Sequence, residues 1–170
     1  MSLELFNSAD NENARHALMQ CCTSENWVNR LVEIRPFSTI DELFVAADTV
    51  WQELNEEDYL QAFDGHPKIG DVDSLKEKYK STKLLASNEQ SDVSLASDEV
   101  ITELAIKNEE YQKKFGFIFI VCATGKTAAQ MLILLVSRLE NDRATELSIA
   151  IEEQRQIYHL RLKKLLEESS

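Results

Sequence analysis

The sequence predicts an all-α protein: a single-domain helical bundle over residues 1–170, with one buried extended segment near 117–123. Three observations carry this prediction. Only four glycines and two prolines punctuate 170 residues, too few for a turn-rich β fold. Apolar residues recur at i, i+3, i+4 and i+7 through much of the chain. The one continuous apolar run, Phe117-Ile118-Phe119-Ile120-Val121-Cys122-Ala123, has no second run of similar quality to pair with as a sheet.

The elements follow in order. Residues 11–22 form a short helix candidate. Trp27, Leu31 and Ile34 continue helical spacing until Arg35-Pro36-Phe37 breaks it. Thr39 and Glu42 have capping-box spacing and open an amphipathic helix. Its stripe is Ile40, Leu43, Phe44, Ala47, Val50, Trp51 and Leu54, which core packing explains better than a cofactor box. Residues 56–63 read as a helix with Tyr59, Leu60 and Phe63 inward, stopping at Asp64-Gly65. Residues 72–97 are polar and weakly periodic, as in a solvated linker, and contain Leu84-Leu85-Ala86-Ser87-Asn88-Glu89-Gln90. Asp98 caps a helix to residue 115, with Ile101, Leu104, Ala105, Asn108, Tyr111 and Phe115 inward and Gly116 as its C′ residue. The 117–123 run then passes, extended, between helices, and its backbone groups need partners that an amide-rich ligand could supply in part.

Thr127 and Gln130 form a second capping box and open a helix over 128–140, interrupted at Asn141-Asp142. The last helix, 144–166, has the inward stripe Leu147, Ala150, Ile151, Gln154, Ile157, Tyr158, Arg161 and Leu165. A core-facing arginine is costly unless paired, so Arg161 is either bonded to a buried acid or aimed at a bound anion.

Composition excludes several classes. A net charge of −12 argues against nucleic acid as a partner. No run of about 18 apolar residues is present, so no membrane span is expected. The N-terminal stretch has no basic region followed by an apolar core, so no signal peptide is visible. The final Glu167-Glu168-Ser169-Ser170 is not a peroxisomal address. Cys21, Cys22 and Cys122 have neither disulfide-like nor metal-ligand spacing and read as reduced thiols of a cytoplasmic protein. No His/Cys/Asp cluster has metal-ligand spacing, so no metal is expected and a metal-dependent hydrolase has no support.

The most informative residues are His66-Pro67-Lys68-Ile69-Gly70-Asp71. Gly65 is expected to free the backbone on one side of His66, and Pro67 to fix φ on the other. That holds an imidazole on a defined turn, where its near-neutral pKa suits proton transfer. The other two histidines, His16 and His159, lie on predicted helices and read as surface or packing residues.

Together with this turn, several further motifs occur in order: the Glu89-Gln90 pair; Tyr111 through Phe115-Gly116 into Phe119-Ile120-Val121-Cys122-Ala123; Thr145-Glu146-Leu147; Glu152-Glu153-Gln154; and Leu160-Arg161-Leu162. This series resembles the OHCU decarboxylases of uric acid degradation, and Arg35-Pro36-Phe37 and Trp51 also fit. The resemblance spans nearly the whole chain. It implies an all-α homodimer without metal or organic cofactor. It implies decarboxylation of 2-oxo-4-hydroxy-4-carboxy-5-ureidoimidazoline to (S)-allantoin and carbon dioxide. His66 matches the family's proton donor and Pro67 a substrate contact. Glu89, grouped with His66 as catalytic, and Gln90 match the polar pair of a binding loop that includes Ala86, Ser87 and Asn88. Phe119, Ile120, Val121, Cys122 and Ala123 match the segment whose backbone holds the substrate, and Arg161 is a further substrate contact. Many members have serine where this chain has Ala86; Ser87 is adjacent. A free-standing, bacterial cytoplasmic form is expected, with no membrane or nucleic-acid partner. The alternative is a non-catalytic helical module of the same fold that binds a small molecule or another protein.

Overall fold

The computed structural model describes residues 1–66 and 97–167. Eight helices occur among them: α1 (Leu3–Ser8), α2 (Asn11–Met19), α3 (Glu25–Ile34), α4 (Ile40–Gln52), α5 (Glu56–Asp64), α6 (Ser97–Phe115), α7 (Ala128–Leu139) and α8 (Arg143–Glu167). No strand occurs among the described residues, and the 117–123 run is irregular, as expected. None of these helices is long and apolar enough to cross a membrane. The chain groups into two compact units. One holds Met1–His66, Ile120–Cys122 and the chain from Ile151 onward; the other includes α6, Ala123–Ala150 and Phe119.

In the first unit, local chemistry sets each helix start. Ser2, Asp10, Thr39 and Asn55 each accept a hydrogen bond from a first-turn N–H with their side chains. Glu42 completes the pattern at α4 one residue early, accepting from Ser38 N rather than from Thr39 N. Asn55 and Asp58 form a full capping box that the apolar pattern did not announce. α3 has no cap from its own Ser24; Gln61 of α5 supplies one, its Oε1 accepting from Glu25 N at 2.9 Å. α1 is also absent from the sequence prediction. It is six residues long and is held from outside. Arg35 donates to Phe6 O, Ala9 O and Asn11 Oδ1, and its guanidinium lies 5.5 Å from the centre of the Phe6 ring.

The core of this unit is aromatic. Trp27, Trp51 and Tyr158 are wholly or almost wholly buried, with ring centroids 4.9 Å (Trp27–Tyr158) and 5.5 Å (Trp51–Tyr158) apart. Each polar tip has a partner: Trp27 Nε1 donates to Ala47 O, Trp51 Nε1 to Ile151 O and the Tyr158 hydroxyl to Asp48. Burying one such ring contributes about 1.5–3 kcal/mol. Asp48 also receives His159 Nε2 at 2.6 Å and Arg155 at 3.4 Å, so His159 has the packing role read for it.

Beyond Glu146, the inner row of α8 is Ala150, Gln154, Tyr158, Leu162 and Leu166. This corrects the predicted stripe. Arg161 is exposed, and Leu162, one position on, takes the core place. The helix reaches the same packing with an apolar residue and keeps the charge in water. Ile40 was also predicted inward and is 42% exposed, because it sits at the first turn of α4.

In the second unit, α6 buries Ile101, Leu104, Asn108, Tyr111 and Phe115, as the pattern predicts, while Ala105 is half-buried. The helix begins at Ser97, so Asp98 lies in its first turn rather than capping it. Gly116 follows at φ +82°, the left-handed conformation that suits glycine after a helix end. Thr127 and Gln130 form the predicted capping box of α7. The buried arginine of this unit is Arg138, not Arg161. Its Nε donates to Glu146 Oε1 at 2.5 Å. Glu146 is fully buried and also accepts from the Tyr111 hydroxyl and from Asn141 Nδ2. The Arg138 guanidinium lies 4.6 Å from the Phe119 ring centre, which fixes the first residue of the predicted substrate segment.

Two predictions follow from these polar contacts. Glu146→Ala leaves a buried guanidinium without its carboxylate and should destabilise the protein by about 3–5 kcal/mol in urea unfolding. Burial first, then hydrogen bonds to Glu146 and Asp48, push the phenols of Tyr111 and Tyr158 well above the ordinary tyrosine value of 10.0. The folded state therefore prefers both phenols neutral. The stability they contribute is complete below the unfolded value and is lost as pH rises toward the folded one. In an alkaline titration, these two tyrosinates should appear only together with loss of helical circular dichroism.

Candidate active site

His66 is positioned from the end of α5. Its backbone N donates to Phe63 O at 3.1 Å, and Gly65 N donates to Ala62 O at 3.3 Å. Gly65 has φ −74° and ψ −11°, a helical conformation open to any residue. Backbone freedom is therefore not what glycine supplies. A Cβ at position 65 would lie 2.0 Å from Thr23 Oγ1 and 2.5 Å from Thr23 Cγ2. Thr23 packs across the end of α5, its hydroxyl placed to donate to Gln61 O and Ala62 O. Position 65 is glycine because Thr23 must come that close.

The His66 ring reaches α8. His66 Nε2 lies 2.5 Å from Gln154 Oε1. Gln154 has no exposed surface, and its amide nitrogen has no hydrogen-bond partner among the described residues. A buried, unpartnered amide donor costs about 1–3 kcal/mol. Sequence reading placed Gln154 on the inner stripe without a task. The available signal was a polar residue in a core row one helical turn from Tyr158.

Ile120, Val121 and Cys122 belong to the same unit as His66 and Arg161, whereas Phe119 and Ala123 belong to the other. Phe119 and Ile120 are buried; Val121, Cys122 and Ala123 are half-buried. Among the described residues Arg161 is bonded to no buried acid: its Nη1 is 3.4 Å from Cys21 O, and its side chain is exposed. Pro67, Ala86, Ser87, Asn88, Glu89 and Gln90 lie outside the described residues, as does most of the polar stretch 72–97.

Cys21 and Cys22 are buried, and burial pushes both thiols up to about 12. Arg161 opposes this rise only in part. Neither thiol is a nucleophile at neutral pH. Among the described residues, no group of three or more His, Cys, Asp and Glu is placed to hold a metal ion.

The chain was compared with known proteins. The profile of the OHCU decarboxylase family matches residues 7–163. Over 150 residues the chain is 35% identical to the uric acid degradation bifunctional protein TTL of Arabidopsis thaliana, covering 88% of this chain and 46% of that protein. It thus spans about half the length of that relative. It is 26% identical over 163 residues to the 2-oxo-4-hydroxy-4-carboxy-5-ureidoimidazoline decarboxylase of Haloferax volcanii, covering 95% of this chain and 94% of that one. The fold superposes on a crystal structure of an OHCU decarboxylase in the presence of (S)-allantoin with a TM-score of 0.70 and 34% identity. That superposition covers 93% of this chain and 99% of the other.

The Gly65–Thr23 contact predicts a paired effect. Gly65→Ala should destabilise the protein by about 1–3 kcal/mol in urea unfolding through overpacking. Adding Thr23→Ser, which removes the methyl group but keeps the hydroxyl, should restore only part of that loss, since Oγ1 is the nearer atom.

Proposed function

Because the chain belongs to the OHCU decarboxylase family, we propose that it catalyses decarboxylation of 2-oxo-4-hydroxy-4-carboxy-5-ureidoimidazoline to (S)-allantoin, in urate degradation. The observation that carries this reading is the family match over residues 7–163; the His66 imidazole, held against Gln154, supports it as a side chain able to give a proton. The similar crystal structure formed in the presence of (S)-allantoin supports the product assignment.

The chemistry requires little beyond the protein. Breaking the bond to the carboxylate releases carbon dioxide and leaves an electron pair on the ring carbon. The adjacent ring C=N accepts that pair, so neither a metal nor an organic cofactor is needed as a sink. The enzyme must hold the carboxylate out of the ring plane, stabilise the displaced charge and deliver a proton to one face. Preorganised donors and orientation supply most of such an acceleration. His66 handles the 4-hydroxyl and the transferred proton. Glu89 holds the imidazole or the ureido N–H groups. Pro67, the 86–90 loop with Gln90, and the backbone of 119–123 shape the pocket. Arg161 is exposed rather than locked into a core ion pair, which leaves its guanidinium available to a carboxylate or urea oxygen. The reading extends to a cytoplasmic homodimer acting as one decarboxylase domain over 1–170.

The test is direct. Freshly generated substrate should lose its ultraviolet absorbance faster with the protein than without it, and the product should show the circular dichroism of (S)-allantoin. His66→Asn should fold normally and lose about 10²–10⁴ of the turnover, the usual worth of a general acid. A folded wild-type chain that binds allantoin but leaves substrate decay unchanged would instead be a non-catalytic binding module.

A further inference from the structure

From Ala150 to Leu166 the inner row of α8 is apolar or aromatic at Ala150, Tyr158, Leu162 and Leu166, and breaks only at Gln154. That side chain is wholly buried, and among the described residues one end of its amide is used: Oε1 faces His66 Nε2 at 2.5 Å, while the amide nitrogen has no hydrogen bond there. A leucine or methionine would fill the same place without an unpartnered donor. An amide kept there despite that cost points to a task at the imidazole.

A carbonyl oxygen can only accept a hydrogen bond, so the ring nitrogen facing it must carry a proton. Nε2–H meets that demand in both the neutral and the charged imidazole. Nδ1 can therefore gain and lose its proton while the bond to Gln154 stays intact. We propose that Gln154 is the positioning residue of His66: its Oε1 accepts the Nε2 proton, fixes the ring's orientation and assigns proton transfer to Nδ1. The reaction it would serve is the decarboxylation proposed above, and the inference rests on that reading for its catalytic meaning. Gln154 acts through His66 and donates nothing to the reacting atoms itself.

The test uses the full chain, labelled with ¹⁵N, and long-range imidazole ¹H–¹⁵N spectra. His66→Asn identifies the His66 signals among the three histidines. The wild type should show a downfield, slowly exchanging proton on His66 Nε2. Gln154→Glu keeps an acceptor and should retain that signal. Gln154→Met keeps the length and the apolar packing but offers no comparable acceptor; it should fold, by circular dichroism and melting, and lose the signal. Its kcat should fall about tenfold to a hundredfold, the scale of a slightly misplaced catalytic group. Its KM should stay within about threefold, because substrate binding is untouched. A wild-type ring protonated at Nδ1 alone overturns the proposal, as does a Gln154→Met protein with both signal and kcat unchanged. A wild type that shows the Nε2 proton but does not turn over substrate would defeat the decarboxylase reading and still support Gln154's hold on the ring.

Discussion

The hydrogen bond from Tyr158 to Asp48, 2.5 Å long, ties α8 to α4 at the centre of the aromatic core. Tyr158 lies between the two tryptophans of the core, so its ring and its hydroxyl are constrained by different neighbours. A ring in a close-packed pocket can slide along a helix axis; a phenol bonded to one carboxylate cannot. The bond therefore sets the register of α8 against α4. Gln154 precedes Tyr158 by one helical turn on the same face, and that register brings its amide to His66. Asp48 also takes His159 and Arg155, so one carboxylate organises three positions of α8's contact with α4.

The two units solve the problem of buried polarity differently. In the second, Glu146 is surrounded by donors: a guanidinium, a phenol and a side-chain amide. The charge is buried and its oxygens are partnered, which suits a fixed support beneath Phe119. In the first, the Gln154 amide is left half satisfied beside an imidazole. A full network gives rigidity, whereas the half-satisfied Gln154 amide underlies its proposed role at the imidazole.

Much of this was legible in the sequence, for specific reasons. Helical spacing located α2 to α8, and the Thr127–Gln130 pair and Gly116 marked termini correctly because caps are local chemistry. α1 was illegible because a clamp from Arg35, far along the chain, stabilises it. Arg161 was read as buried because a helical stripe one residue wide cannot be assigned its centre from spacing alone; Leu162 next to it decided the matter. The role of Gly65 was misread in kind: its neighbour in space, Thr23, lies 42 positions back, and no local pattern reports that approach. His66 stands out in the sequence from its flanking residues, but its approach to Gln154 needed the fold, since the two lie 88 positions apart.

The adjacent thiols of Cys21 and Cys22 have a chemical consequence beyond packing. With burial pushing both thiols up to about 12, each carries far less thiolate than an ordinary cysteine at the same pH. Peroxide, alkylating agents and foreign disulfides all react through the thiolate. So long as the tertiary structure stays closed, this pair is chemically quiet, and oxidation of the protein begins elsewhere or waits for the helices to open.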